Sequence, residues 1–228
     1  MGKPLFLVYT DDPMCSIDCA DTVCDLLNNT GLYNAKMIGP DSYPKLHFNK
    51  ENLSKADCLV MPGGLGDSDQ FDNYLYKHKK MVVDYVGNGG KYLGICMGSY
   101  FAGHHYFDIL TNVQAVQYIK QKDAITRKST PVVIDLKWNN RECPMYFFDG
   151  AAFIPYNSKY IPAKIISRYT NGDAAALIQH YKQGMVGVIG PHPEAQKWWF
   201  HTNKNIRERW TDSVQDHLFL DFVKKLMK

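Results

Sequence analysis

The chain has 228 residues, long enough for one sizeable core, with 26 Lys and Arg against 23 Asp and Glu and a formal net charge of +3. Charges of both signs are interspersed, which gives no electrostatic footprint for nucleic acid, and no stretch approaches the roughly 20 apolar residues of a membrane helix. The opening MGKPLFLVYTDDP has too short an apolar run for a signal peptide, Phe6 spoils a myristoylation pattern at Gly2, and cysteines without a secretory signal read as reduced thiols, so the expectation is a soluble cytoplasmic protein with no nucleic-acid or membrane partner.

In chain order, Pro4 to Thr10 reads as a buried strand, and Asp11, Asp12 and Pro13 as a turn leading to a helix from about Ser16 to Asn28. Cys15, Cys19 and Cys24 fall in that helix. The i, i+4 pair Cys15/Cys19 could share a face, but no CxxC or HExxH pattern accompanies it, so packing is favoured over a metal site. Asn34 to Ile38 reads as a second strand. Asp57 to Met61 is a third, ending in Pro62, Gly63 and Gly64, and a helix from about Gln70 to Val86 stops at Gly89 and Gly90.

The stretch KYLGICMGSYFAG, Lys91 to Gly103, sets Cys96 between two glycines. Tyr92, Leu93 and Ile95 suit a buried strand, whereas Met97, Tyr100 and Phe101 recur at helical spacing. Cys96 is therefore the nucleophile candidate, on a strand–turn–helix elbow whose glycines allow a tight turn. Unpaired amides at the start of the following helix favour negative charge on a thiolate or an oxyanion. His104 and His105 follow, read as exposed or capping residues.

Beyond Phe107 short β-like runs replace long helices: Val113 to Ile119, Pro131 to Leu136, Met145 to Phe148, Ala163 to Tyr169, Ala174 to Tyr181 and Met185 to Ile189. These are expected to extend the sheet or form a small accessory one, with turns at Gly172–Asp173 and Gln183–Gly184. Trp198, Trp199 and Phe200 read as core packing, with a partner surface or pocket wall as the alternative. The basic run Lys204 to Arg209, mixed by Glu208, reads as a solvated face. Leu218, Phe222 and Leu226 form an apolar stripe on a last helix. Alternation of strands and helices predicts an α/β fold, a mostly parallel central sheet with helices on both faces, as one domain over 1–228.

Gly190, Pro191, His192, Pro193 and Glu194 follow the last strand. In extended chain, side chains two apart project to one side, and Pro193 disfavours a helical His192. His192 could then take the Cys96 proton while Glu194 binds the other ring nitrogen. The glycine loop after the third strand should emerge on the same edge. An amide near Gly63 or Gly64, with that of Met97, would make an oxyanion hole.

The order PGG, GICMG, HPE resembles the class I glutamine amidotransferase-like superfamily, and within it the N-terminal amidotransferase-like domain of eukaryotic biotin–protein ligases. Phe147 to Ala152 is the counterpart of that domain's YNGGG-type loop. The resemblance implies a flavodoxin-like three-layer sandwich with extra strands in the C-terminal half. It also implies Cys96 as nucleophile, His192 as base, Glu194 as orienting acid, and oxyanion donors at the PGG loop and Met97. A pocket at Tyr100, Asp149 and Gly150 is expected, with no metal and no cofactor.

Glutamine-using members commonly carry a GxQ or GHQ-like tail after the nucleophile, where this chain has Ser99, Tyr100 and Phe101. The expected substrate is therefore a small-molecule or peptide amide of unspecified identity. The chain carries no GRGRxGR-like stretch for biotinyl-adenylate. A biotin ligase or an ammonia-accepting synthetase is the expected kind of protein partner, and a non-catalytic binding module is the alternative to an enzyme.

Overall fold

The computed structural model describes residues 2–200 and 214–228; the run Lys204 to Arg209 lies outside them. Among the described residues, eleven strands form one sheet. Its first half is a parallel array in the order β2 (Asn34–Ile38), β1 (Leu5–Tyr9), β3 (Cys58–Met61), β4 (Lys91–Ile95) and β11 (Gly184–Ile189). The second half is antiparallel. From β11 it runs through β10 (Ala174–Tyr181) and β9 (Lys164–Tyr169) to β6 (Val132–Trp138) and β7 (Arg141–Phe147). β5 (Val113–Gln117) and β8 (Ala151–Pro155) pair beside β10. The C-terminal runs therefore extend the main sheet.

Burial on both faces explains the near-continuous apolar strands. On β1, Phe6 and Val8 face one core while Leu7 and Tyr9 face the other, and Val60 and Leu59 on β3 divide in the same way. The first core is covered by α1 (Ile17–Asn29) and by the last helix, α6 (Val214–Leu226). Phe222 and Leu226 of the expected stripe are fully buried, joined by Phe219 and Val223. α2 (Lys50–Leu53) and α4 (Lys79–Gly87) cover the other face through Leu53, Val82 and Val86. This is the three-layer α/β sandwich expected, with a parallel centre and an antiparallel flank. No helix among the described residues is long and apolar enough to cross a membrane.

Four expectations need correction. The helix read over Gln70 to Val86 is broken into α3 (Ser68–Gln70), a π turn (Phe71–Leu75), a 3-10 turn (Tyr76–His78) and α4. Phe71 is clamped by Phe101, Tyr106 and Phe107 at ring distances of 4.9 to 5.3 Å, and that packing competes with a regular hydrogen-bond ladder. Cys15 precedes α1 and bridges back to Asp11, so it shares no helix face with Cys19. Strand β8 begins inside the segment matched to a loop, at Ala151 and Ala152, and continues to Pro155 through residues given no element. The turn between β10 and β11 is centred on Lys182 and Gln183, since Tyr181 pairs with Gly184.

Candidate active site

Cys96 joins β4 to α5 (Met97–Phe101) with φ 49° and ψ −109°, a conformation that residues other than glycine rarely adopt and that the surroundings must impose. Its N–H donates to the Ile189 carbonyl at 2.8 Å. Its own carbonyl accepts from Ser99 N–H (3.0 Å), Tyr100 N–H (3.3 Å) and the Ser99 hydroxyl (2.6 Å). Gly98 admits the elbow against β3, because a Cβ there would lie 1.8 Å from the Met61 carbonyl oxygen. The thiol points towards the Phe148 carbonyl at 3.5 Å.

β11 runs parallel to β4 with Ile189 opposite Ile95, so the chain leaving β11 emerges beside Cys96. The His192 N–H donates to the Tyr146 carbonyl at 2.9 Å, which sets the segment against β7. Nδ1 of His192 lies 2.8 Å from Oε1 of Glu194, which leaves Nε2 as the ring nitrogen open to Cys96, whose side chain acts on the imidazole. Cys96 is 6% exposed, His192 3% and Glu194 0%. Tyr146 and Trp199 wall the imidazole edge-on, at centroid distances of 5.6 and 5.4 Å.

Burial alone would lower the His192 pKa. The charges of Cys96 and Glu194, with their hydrogen bonds, outweigh it and raise the pKa from 6.5 to about 10. The protonated form of the ring is thus favoured near neutral pH. The neighbouring Cys19 thiol is pushed well up, by burial first and then by the charges of Glu194 and Cys96.

A cavity of about 800 Å³ opens over Cys96 and His192, walled mainly by Met97, Tyr100, Tyr146 and Trp199. Gly64 and Met97 line it; Gly63 lies behind it, against His192. In the first turn of α5 the Gly98 N–H goes to the Pro62 carbonyl and those of Ser99 and Tyr100 go to Cys96, so Met97 carries the amide left for a ligand. Tyr100 spans the pocket wall, its hydroxyl donating to the Asp149 carbonyl at 3.1 Å, while the Gln117 amide donates to the Asp149 carboxylate at 3.0 Å.

Gly150, expected in the pocket, is not among its lining residues. It is a packing glycine, whose Cβ would lie 2.1 Å from the Gly190 carbonyl oxygen. Trp199 and the 45%-exposed Trp198 line the cavity, which favours the pocket-wall alternative over core packing. His105 lines it too, whereas His104 pairs with Asp108 at 3.1 Å. Asp11 and Asp12 stay with the turn: Asp11 accepts from the Tyr9 hydroxyl, and Asp12 N–H donates to Asp41.

Sequence reasoning missed Tyr146 and Gln117, which long-range pairing brings in, and set Cys19 aside as helix packing. Cys19 sits in the first turn of α1, the helix that follows β1, on the carboxyl edge where sites of this fold class gather, a signal that was there to be used. Cys19, His192 and Glu194 are the grouping with metal-ligand geometry among the described residues.

The fold of the chain recurs among solved structures. It superposes on PurLQS from Thermotoga maritima with a TM-score of 0.61 at 14% identity, covering 99% of this chain and 100% of that one. A glutamine amido transferase from Methylobacillus flagellatus gives 0.55 at 11% identity, covering 98% and 95%. Identities this low speak for the fold alone.

By sequence the chain resembles biotin–protein ligases at their N-terminal end. The family described as biotin-protein ligase, N terminal, matches residues 45–117. A biotin–protein ligase of Schizosaccharomyces pombe (strain 972 / ATCC 24843) is 26% identical over 163 residues, 60% of this chain. The match spans 25% of that ligase, so this chain corresponds to about a quarter of its length.

Proposed function

We propose that the chain is a cysteine-dependent amidohydrolase or amidotransferase-like enzyme that cleaves a carboxamide-type bond through a thioester. The observation that carries this reading is the pair Cys96 and His192 lining one cavity, with the buried Glu194 holding the far side of the imidazole. The Cys96 sulfur attacks the amide carbon, and the carbonyl π electrons move onto oxygen. The amides of Met97 and Gly64 face the resulting oxyanion. His192 gives its proton to the departing nitrogen as the C–N bond breaks, leaving the thioester. Water or an amine then attacks with His192 taking its proton, and the C–S bond breaks to return the thiolate. Glu194 holds the ring by Nδ1 throughout and stabilises its protonated form.

The test is amine release from a panel of primary and secondary carboxamides, native chain against Cys96→Ala. Turnover of at least one amide that the substitution abolishes supports the reading; a panel left untouched by the native chain counts against it.

A second reading, a binding or regulatory module, is favoured by the match to the N-terminal part of biotin–protein ligases and by Tyr100 standing where glutamine-using relatives carry a different tail. Its partner would be a biotin ligase or an ammonia-accepting synthetase. Partner binding that survives Cys96→Ser, with no amide turned over, would favour the module.

A further inference from the structure

Cys19 has no role in the chemistry proposed above, yet its sulfur, a His192 ring nitrogen and a Glu194 carboxylate oxygen lie within 4.8 Å of one another, all buried. The second oxygen of Glu194, Oε2, is buried without a hydrogen-bond partner, in a residue with no exposed surface. An unpaired carboxylate oxygen in such a place is unfavourable, and a cation would satisfy it. We propose that Cys19, His192 and Glu194 form a binding site for a thiophilic divalent cation of the zinc type, and that its occupation disables the Cys96–His192 pair.

The donor chemistry fits. Thiolate sulfur, imidazole nitrogen and carboxylate oxygen are the groups zinc takes, and three protein ligands leave the fourth position for water. Bonds of about 2.0 to 2.3 Å place ligand atoms roughly 3.3 to 3.8 Å apart around a tetrahedral ion, so the Nδ1–Oε1 pair at 2.8 Å must open slightly and any separation near the 4.8 Å limit must close by about 1 Å. One thiolate and one carboxylate neutralise the dication, so the buried assembly carries no net charge. Cys19 and His192 both line the cavity, which gives the ion a route in.

On binding, the metal replaces the proton between Nδ1 of His192 and Glu194. That proton and the Cys19 thiol proton pass to solvent. The ring is left with its hydrogen on Nε2, the nitrogen facing Cys96, and can no longer accept a proton there. Binding is independent of the enzymatic reading; the inhibitory consequence rests on it.

The experiment titrates the full chain with zinc against a chromogenic chelator, and with cobalt(II) followed by thiolate-to-cobalt absorption. The native chain, Cys19→Ala and Cys96→Ala are compared. The expected result is one equivalent bound, affinity within about threefold of native in Cys96→Ala, and at least about a tenfold loss in Cys19→Ala together with loss of the thiolate band. Absence of stoichiometric binding, or binding that follows Cys96 and ignores Cys19, overturns the proposal. Should Cys19→Ala fail to fold, Cys96→Ala decides: a retained thiolate band supports the site and a missing one refutes it.

Discussion

Gly63 and His192 meet so closely that a Cβ on Gly63 would lie 2.5 Å from Cε1 of the imidazole. The PGG loop and the HPE segment, 129 positions apart by subtraction of those residue numbers, thus share one packing problem, and glycine solves it. Gly63→Ala should push the ring off the line to Cys96. A misplacement of about 1 Å is worth up to roughly 100-fold in rate. Steady-state kinetics should show kcat falling while KM moves little, with an unchanged melting cooperativity; unchanged kcat would mean that the ring position is not critical.

Glu194→Gln keeps the shape and removes the charge that holds Nδ1 at 2.8 Å. If Glu194 orients and stabilises the protonated ring, turnover should drop by at least about 100-fold, the scale of acid–base contributions. The His192 pKa should fall as well. Ring NMR titration of native and variant reads both effects, and equal titration curves would contradict the assigned role.

The raised His192 pKa has a stability consequence of definite sign. The folded ring, at about 10, holds its proton more tightly than the unfolded ring at 6.5. Its stabilising contribution is therefore complete below about pH 6.5 and is lost as pH rises through about 10. Urea unfolding of the native chain and His192→Gln across that window should give a difference that shrinks with increasing pH. A difference that grew with pH would reverse the electrostatic account.

Tyr100→Phe deletes the hydroxyl that donates to the Asp149 carbonyl. One such bond contributes about 0.5 to 1.5 kcal/mol, and chemical denaturation should detect a loss of that order. The cavity wall is loosened with the nucleophile left in place, so the set of accepted amides should broaden towards bulkier ones. An unchanged panel would show that Tyr100 does not select substrate.

What the sequence disclosed is what close backbone approach writes locally. Gly63, Gly64, Gly94 and Gly98 stand where side chains would collide with neighbouring chain or with His192, so the motifs were readable as motifs, and the strand–helix alternation placed them on one edge. Strand β8 was not readable, because Ala151 to Pro155 forms strand only by pairing with β5 and β10, partners far off in the chain. The break in the helix after Gln70 follows from aromatic packing around Phe71, which no local periodicity encodes. Cys19 looked like helix packing because its neighbours His192 and Glu194 arrive from the other end of the chain.

The most direct measurement of the central claim is trapping with an electrophilic amide analogue followed by intact-mass and peptide mapping. The account predicts a single adduct on Cys96 in the native chain, formed at least about 100-fold more slowly in His192→Gln, with Cys58 and Cys143 unlabelled. An unmodified Cys96 in the folded native chain, or labelling indifferent to His192, would contradict it.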